Sequence, residues 1–118
     1  MGVVHHSAYL LYLEEARVEW LRHLGHGYRS VREEGLDFAV LEAYVRYRLP
    51  LRFDEEVDVH LGLGEVTRAT FQLGYLLTVE GQARATGVTV HGCVGVDGRA
   101  ARLPTWVAQI AADGPTLP

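Results

Sequence analysis

Apolar and polar residues change period twice along this chain. From Ser7 to about Leu24 the spacing predicts a helix, with Ser7 placed to cap its start and Gly25 and Gly27 placed to stop it. Ala8 to Leu13 (AYLLYL) is apolar on every side, whereas Glu14 to His23 sets charges between Ala16, Val18, Trp20 and Leu21. A helix that is apolar all round must be surrounded by protein, and an amphipathic one keeps a wet face. The first two turns are therefore expected to be enclosed and the last turns to emerge. Residues 28–34 suggest a short second helix.

Beyond that point the period drops to two. Ala39, Leu41, Ala43, Val45, Tyr47 and Leu49 alternate with mostly polar neighbours until Pro50 interrupts. Val57, Val59, Leu61 and Leu63 form a second run; Phe71, Leu73, Tyr75, Leu77 and Val79 a third; Ala83 to Val96 a fourth. Alternation over such lengths predicts half-buried antiparallel strands. Glu80-Gly81 and Asp97-Gly98 read as hairpin turns, because glycine tolerates a positive φ. A short strand near Ala100–Leu103 and a helix from Thr105 to Ala112 complete the pattern. One face of the fourth run carries Ala83, Ala85 and Gly87, small enough for a helix to approach closely. The expected class is α+β: a curved antiparallel sheet wrapped around one long helix, the hotdog fold.

Length and composition narrow the function. The chain has 118 residues, 48% of them apolar and 22% charged, which suits one globular domain spanning residues 1–118. The net charge of −4 argues against nucleic acid as a partner, since phosphate binding needs a basic face. All 11 basic residues are Arg. A single cysteine, Cys93, excludes an intrachain disulfide and a cysteine-based zinc site, and it suits a reducing compartment. No run approaches the roughly 20 apolar residues of a membrane span. The start lacks the basic region of a signal peptide, so the expected location is cytoplasmic.

The chemistry concentrates in Gly2 to Arg17, GVVHHSAYLLYLEEAR. This stretch resembles the start of the 4-hydroxybenzoyl-CoA thioesterase family, especially its Tol-Pal-associated acyl-CoA thioesterase branch. The family pattern reads D-x-x-G-V-V-Y-H-x-x-Y-x-x-Y-x-E-x-A-R. Gly2, Val3, Val4, His6, Tyr9, Tyr12, Glu14, Ala16 and Arg17 fall on it in register, and His5 stands where Tyr is usual. The later strand order, down to Arg102-Leu103-Pro104 before the last helix, is also similar. One position departs from the pattern. The family's catalytic Asp, three residues before the glycine, would precede Met1, and the strand leading to it is absent too. Two readings compete: Met1 is an internal methionine of an originally longer product, which is the favoured expectation, or the chain begins here and lacks the usual acid.

The resemblance implies hydrolysis of an acyl-CoA thioester by a homo-oligomer, a dimer or a tetramer, with neither metal nor cofactor. It sets the N–H of His6 against the thioester carbonyl, with free helix N–H groups and the helix dipole facing a developing oxyanion. It assigns the His6 imidazole to orienting substrate or water, and the upstream Asp to acting as nucleophile or general base. Gly2 would allow close backbone approach. Gly2, Val4, His5 and Tyr9 would border the acyl group, and Thr67, Arg68 and Thr70 the phosphates of CoA, for which a planar guanidinium is suited.

Each residue also has a plainer reading. His5 and His6 would serve equally as helix-capping residues, and adjacent histidines rarely converge on one metal. Glu14 would reach the acyl pocket, pair with His6, or lie on the surface beside Arg17. Glu15 and Glu19 read as wet-face charges, and Tyr9 and Tyr12 as core. Arg68 would fit an ordinary exposed hairpin. His91, inward with Thr89 and Cys93, reads as a buried, hydrogen-bonded histidine, and Cys93 as a small core residue. Two other functions stay open: a non-catalytic acyl-CoA binding module, and a hydroxyacyl dehydratase on the same fold, whose histidine signatures are not found here.

Overall fold

Two glycine-bearing turns fold the strands back on one another. Glu80 and Gly81 both take positive φ, 50° and 80°, the combination that matches the twist of a two-residue hairpin. Gly98, with φ 78°, closes the next turn. In the computed structural model, which describes residues 6–113, the chain runs α1 (His6–His23), α2 (Tyr28–Glu33), β1 (Leu36–Tyr47), β2 (Asp58–Val66), β3 (Thr70–Val79), β4 (Gln82–Gly95), β5 (Ala100–Ala101) and α3 (Thr105–Asp113). The sheet is antiparallel in the order β1-β4-β3-β2. β5 extends the lane of β3 by pairing with Cys93 and Val94 of β4.

The inner face of the sheet is continuous across the strands. Leu61 pairs with Tyr75, Tyr75 with Gly87, and Gly87 with Val45. Phe71, Leu73, Tyr75 and Leu77 of β3 and Ala85 of β4 are buried on it. α1 lies over this face, and the small-residue stripe decides how closely. A Cβ on Gly87 would stand 2.9 Å from Leu13 Cδ1, so the helix rests directly on the glycine. This is the hotdog arrangement expected from the residue pattern.

Two local expectations need correction. In β1 the register shifts between Val40 and Glu42, leaving Leu41 as a bulge. An extra residue reverses the side to which later side chains point. Phe38 before the bulge and Val45 after it therefore both pack on the core, and unbroken alternation from Ala39 to Leu49 does not hold. The first turns of α1 are also only half enclosed. Tyr9 and Leu13 are buried, but Leu10 is 48% exposed and Leu11 59%. A single sheet covers one side of a helix, and nothing in this chain covers the other among the described residues.

The β1–β2 connection is held by polar contacts. The Tyr9 hydroxyl accepts a hydrogen bond from the Leu51 N–H at 3.2 Å. Arg84 forks onto both carboxylate oxygens of Glu55, at 2.9 and 2.8 Å, and also donates to the Pro50 carbonyl at 2.8 Å. The Arg84 hydrogen bonds, followed by the Arg52 N–H, hold the Glu55 carboxyl below the usual glutamate range. Among the described residues no helix is long and apolar enough to cross a membrane.

Candidate active site

α1 begins at His6, and its first turn carries no acidic residue. The first N–H groups of a helix have no partner within it, and the aligned peptide dipoles add partial positive charge there. The N-terminus of an 18-residue helix without an acid in its first turn is thus suited to a carbonyl oxygen acquiring negative charge. Gly2, Val4 and His5 lie outside the described residues. The backbone of His6 opens the helix, but its side chain is outside the description.

The remaining candidates are distributed along α1 and at the far end of the sheet. Tyr9 is 3% exposed; its ring meets Tyr12 and Tyr47 edge-on at 6.5 and 4.7 Å. Its hydroxyl accepts from the Leu51 N–H and keeps its own hydrogen to donate. Glu14 is exposed on the side of α1 away from the sheet. Glu15 and Glu19 are exposed as expected, and Glu19 pairs with Arg22. Thr67, Arg68 and Thr70 form the β2–β3 turn, where the Thr67 hydroxyl accepts from the N–H of Thr70 at 2.9 Å and meets the Thr70 hydroxyl at 2.9 Å. Arg68 is exposed there and shares a shallow depression with Arg102 at the start of α3. This turn sits on an element separate from the α1 N-terminus.

A groove of about 570 Å³ runs between α1 and β2. Its apolar walls come from Tyr12, Ala16 and Trp20 on one side and Val57, Val59 and Leu61 on the other, with Glu15 and Glu19 at the rim. The sequence pattern did not single it out, because it depends on how far the helix stands from an edge strand.

A polar set lies beneath the middle of α1. His91 is 1% exposed, stacked on Phe71 at 4.9 Å, with Nε2 at 2.7 Å from the Thr89 hydroxyl. The Thr89 hydroxyl is 2.7 Å from that of Tyr75. Burial, reinforced by the positive charge of Arg17, pushes the His91 pKa down to about 4. Burial likewise raises the Tyr75 phenol, and it raises the Cys93 thiol, away from the thiolate form that reacts. His91, Thr89 and Cys93 were legible as an inward row. Arg17 and Tyr75 were not, since only the tertiary structure brings them to that row. Among the described residues no cluster of His, Cys, Asp and Glu could hold a metal ion.

Similarity to known proteins bears on this geometry. Residues 1–110 match the profile of the thioesterase-like superfamily. A protein of Aquifex aeolicus (strain VF5), provisionally named an esterase, is 40% identical over 112 residues, 95% of this chain and 87% of its own. A Bacillus subtilis (strain 168) protein, provisionally named an acyl-CoA thioesterase, is 26% identical over 95 residues, 80% of this chain and 69% of its own. The crystal structure of the DHNA-CoA thioesterase of Staphylococcus aureus superposes with a TM-score of 0.85 at 25% identity, over 99% of this chain and 87% of that one.

Proposed function

Because the chain belongs to the thioesterase-like superfamily, we propose that it hydrolyses an acyl-CoA thioester to the free acid and CoA, with the N-terminus of α1 polarising the thioester carbonyl. The observation that carries this reading is the α1 N-terminus: no acid in the first turn, and a helix seated hard on Gly87. Water adds to the carbonyl carbon, the oxyanion gathers its charge against these donors, and the C–S bond breaks as the CoA thiolate leaves and takes up a proton. Preorganised donors of this kind contribute because they need no reorientation as charge develops.

The roles of individual residues follow the family pattern. His6 supplies an N–H and an imidazole to orient water or substrate. Gly2, Val4 and His5 shape the approach, Glu14 and Tyr9 border the acyl group, and Thr67, Arg68 and Thr70 meet the CoA phosphates. In the family pattern the activating carboxylate stands three residues before the glycine that Gly2 matches. The reading extends to a cytoplasmic homo-oligomer, of the Tol-Pal-associated branch, acting on acyl-CoA.

Thiol release from a panel of short-chain and aromatic acyl-CoAs, assayed with protein isolated from its native cells, tests this. Turnover is expected, and His6→Ala should lower kcat by about 10²–10⁴-fold. The 118-residue chain alone should be slower than an Asp-bearing extended form by a factor of the same order. Absence of turnover across the panel rejects the proposal. A second reading is acyl-CoA binding without hydrolysis. Equilibrium binding with no thiol release, in the extended form as well, would establish it.

A further inference from the structure

Gly62 of β2 and Gly74 of β3 are paired on the face of the sheet turned away from α1. Neither takes a positive φ, so the backbone does not require glycine at either position. Glycine inside a strand weakens it, and it marks a place where another group comes close. The pair belongs to one cross-strand row: Gly62 beside Gly74, Gly74 beside Val88, and Val88 beside Tyr44. Side-chain size along the row is graded. It is nothing on β2 and β3, moderate on β4, and large on β1, where Tyr44 is 67% exposed. The two glycines floor a trough of about 410 Å³ between walls of Gln72, Leu76 and Thr86.

A solvated sheet face is polar, yet the two central strands carry no charge on this face from Thr86 to Val90 or from Gln72 to Leu76. Charges appear only on the flanking strands, at Glu42 and Arg46 of β1 and Asp58 of β2. An uncharged centre inside a charged rim is the anatomy of an interface. Four strands of about ten residues span roughly 19 by 33 Å, on the order of 600 Å² in projection; with corrugation added, this approaches the roughly 800 Å² per partner of a standard interface. We propose that a second copy of the chain docks on this face, sheet against sheet, about a twofold axis running along the strands between β3 and β4. That axis sets β1 of each copy over β2 of the other, and β4 over β3. Tyr44 of each copy then enters the glycine trough of the other, and Val88 lies over Gly74, the reciprocal contact that an isologous interface requires. An axis across the strands would set Tyr44 on Tyr44 and leave the troughs empty.

Sedimentation equilibrium of the full chain at micromolar concentration tests this interface, and it does so without acyl-CoA, so the result stands whether or not the thioester reading does. Tyr44→Gly leaves two holes in the interface and Gly62→Tyr introduces two clashes. Each variant alone should sediment at half the mass of the unsubstituted protein with its far-UV spectrum retained. Mixed in equal amounts, the two should recover the original mass, because every trough then holds one ring. Tyr44→Gly and Gly62→Tyr combined in one chain should recover it too. Should Gly62→Tyr lose its far-UV spectrum, Gly74→Val mixed with Val88→Gly makes the same exchange one strand along. An unsubstituted protein that sediments as one chain, single variants of unchanged mass, or a mixture that stays at half mass overturns the proposal.

Discussion

His91 sits beneath Phe71 with one ring nitrogen on Thr89, and burial holds it neutral to about pH 4. An unfolded histidine takes its proton near pH 6.5. Between those values the unfolded chain binds a proton that the native state refuses, so stability falls as pH is lowered from about 6.5 to about 4 and levels off below. The effect is on the order of 3 kcal/mol. Urea midpoints measured across this window should fall in the unsubstituted protein and change less in His91→Gln; equal slopes would contradict the assignment. Glu55 acts in a separate window. Its carboxyl is held down by Arg84, so its contribution is present above the ordinary value of about 4.3 and is lost as pH falls below it. His91 was readable from the alternation of β4 as inward and hydrogen-bonded. Its dependence on Arg17 was not, because 74 positions of sequence separate the two and no periodicity links them.

Between α1 and the sheet, Gly87 and Leu13 share a space that admits one side chain. A methyl at position 87 would lie 2.9 Å from Leu13 Cδ1 and 3.4 Å from the Tyr44 carbonyl oxygen, so Gly87→Ala forces the buried leucine to move. Overpacking of this kind costs about 1–3 kcal/mol. Leu13→Ala alone leaves a cavity and costs about 2–5 kcal/mol. Combined, the methyl enters the vacated space, and the pair should cost clearly less than the two losses added, as judged by urea unfolding. A fully additive pair would show that the helix does not rest on Gly87. The small stripe was legible at Ala83, Ala85 and Gly87, and it correctly implied a closely packed helix. The bulge at Leu41 was not legible, since alternation within β1 says nothing of how β1 registers on β4.

The molecule leaves both outer strands, β1 and β2, with an unpaired edge among the described residues. Leu11 on α1 and Tyr44 on β1 are exposed at 59% and 67%. Exposed strand edges and large apolar residues favour association, and a second copy of the chain is the partner we propose. Leu11→Glu combined with Tyr44→Glu should lower the sedimentation mass toward that of one chain while the far-UV spectrum is retained. A native protein that already sediments as one chain at micromolar concentration would refute the oligomer.

The sequence by itself determined the elements, their hairpin turns, the helix-in-sheet class and the motif from Gly2 to Arg17. These depend on local periodicity, on the torsional freedom of glycine, and on residues close together along the chain. The tertiary structure alone decided which half of α1 is covered, where β1 changes face, and how the α1–β2 groove opens. Those features depend on inter-strand register and on the height of a helix above a sheet. Both distances are set by packing between residues far apart in sequence.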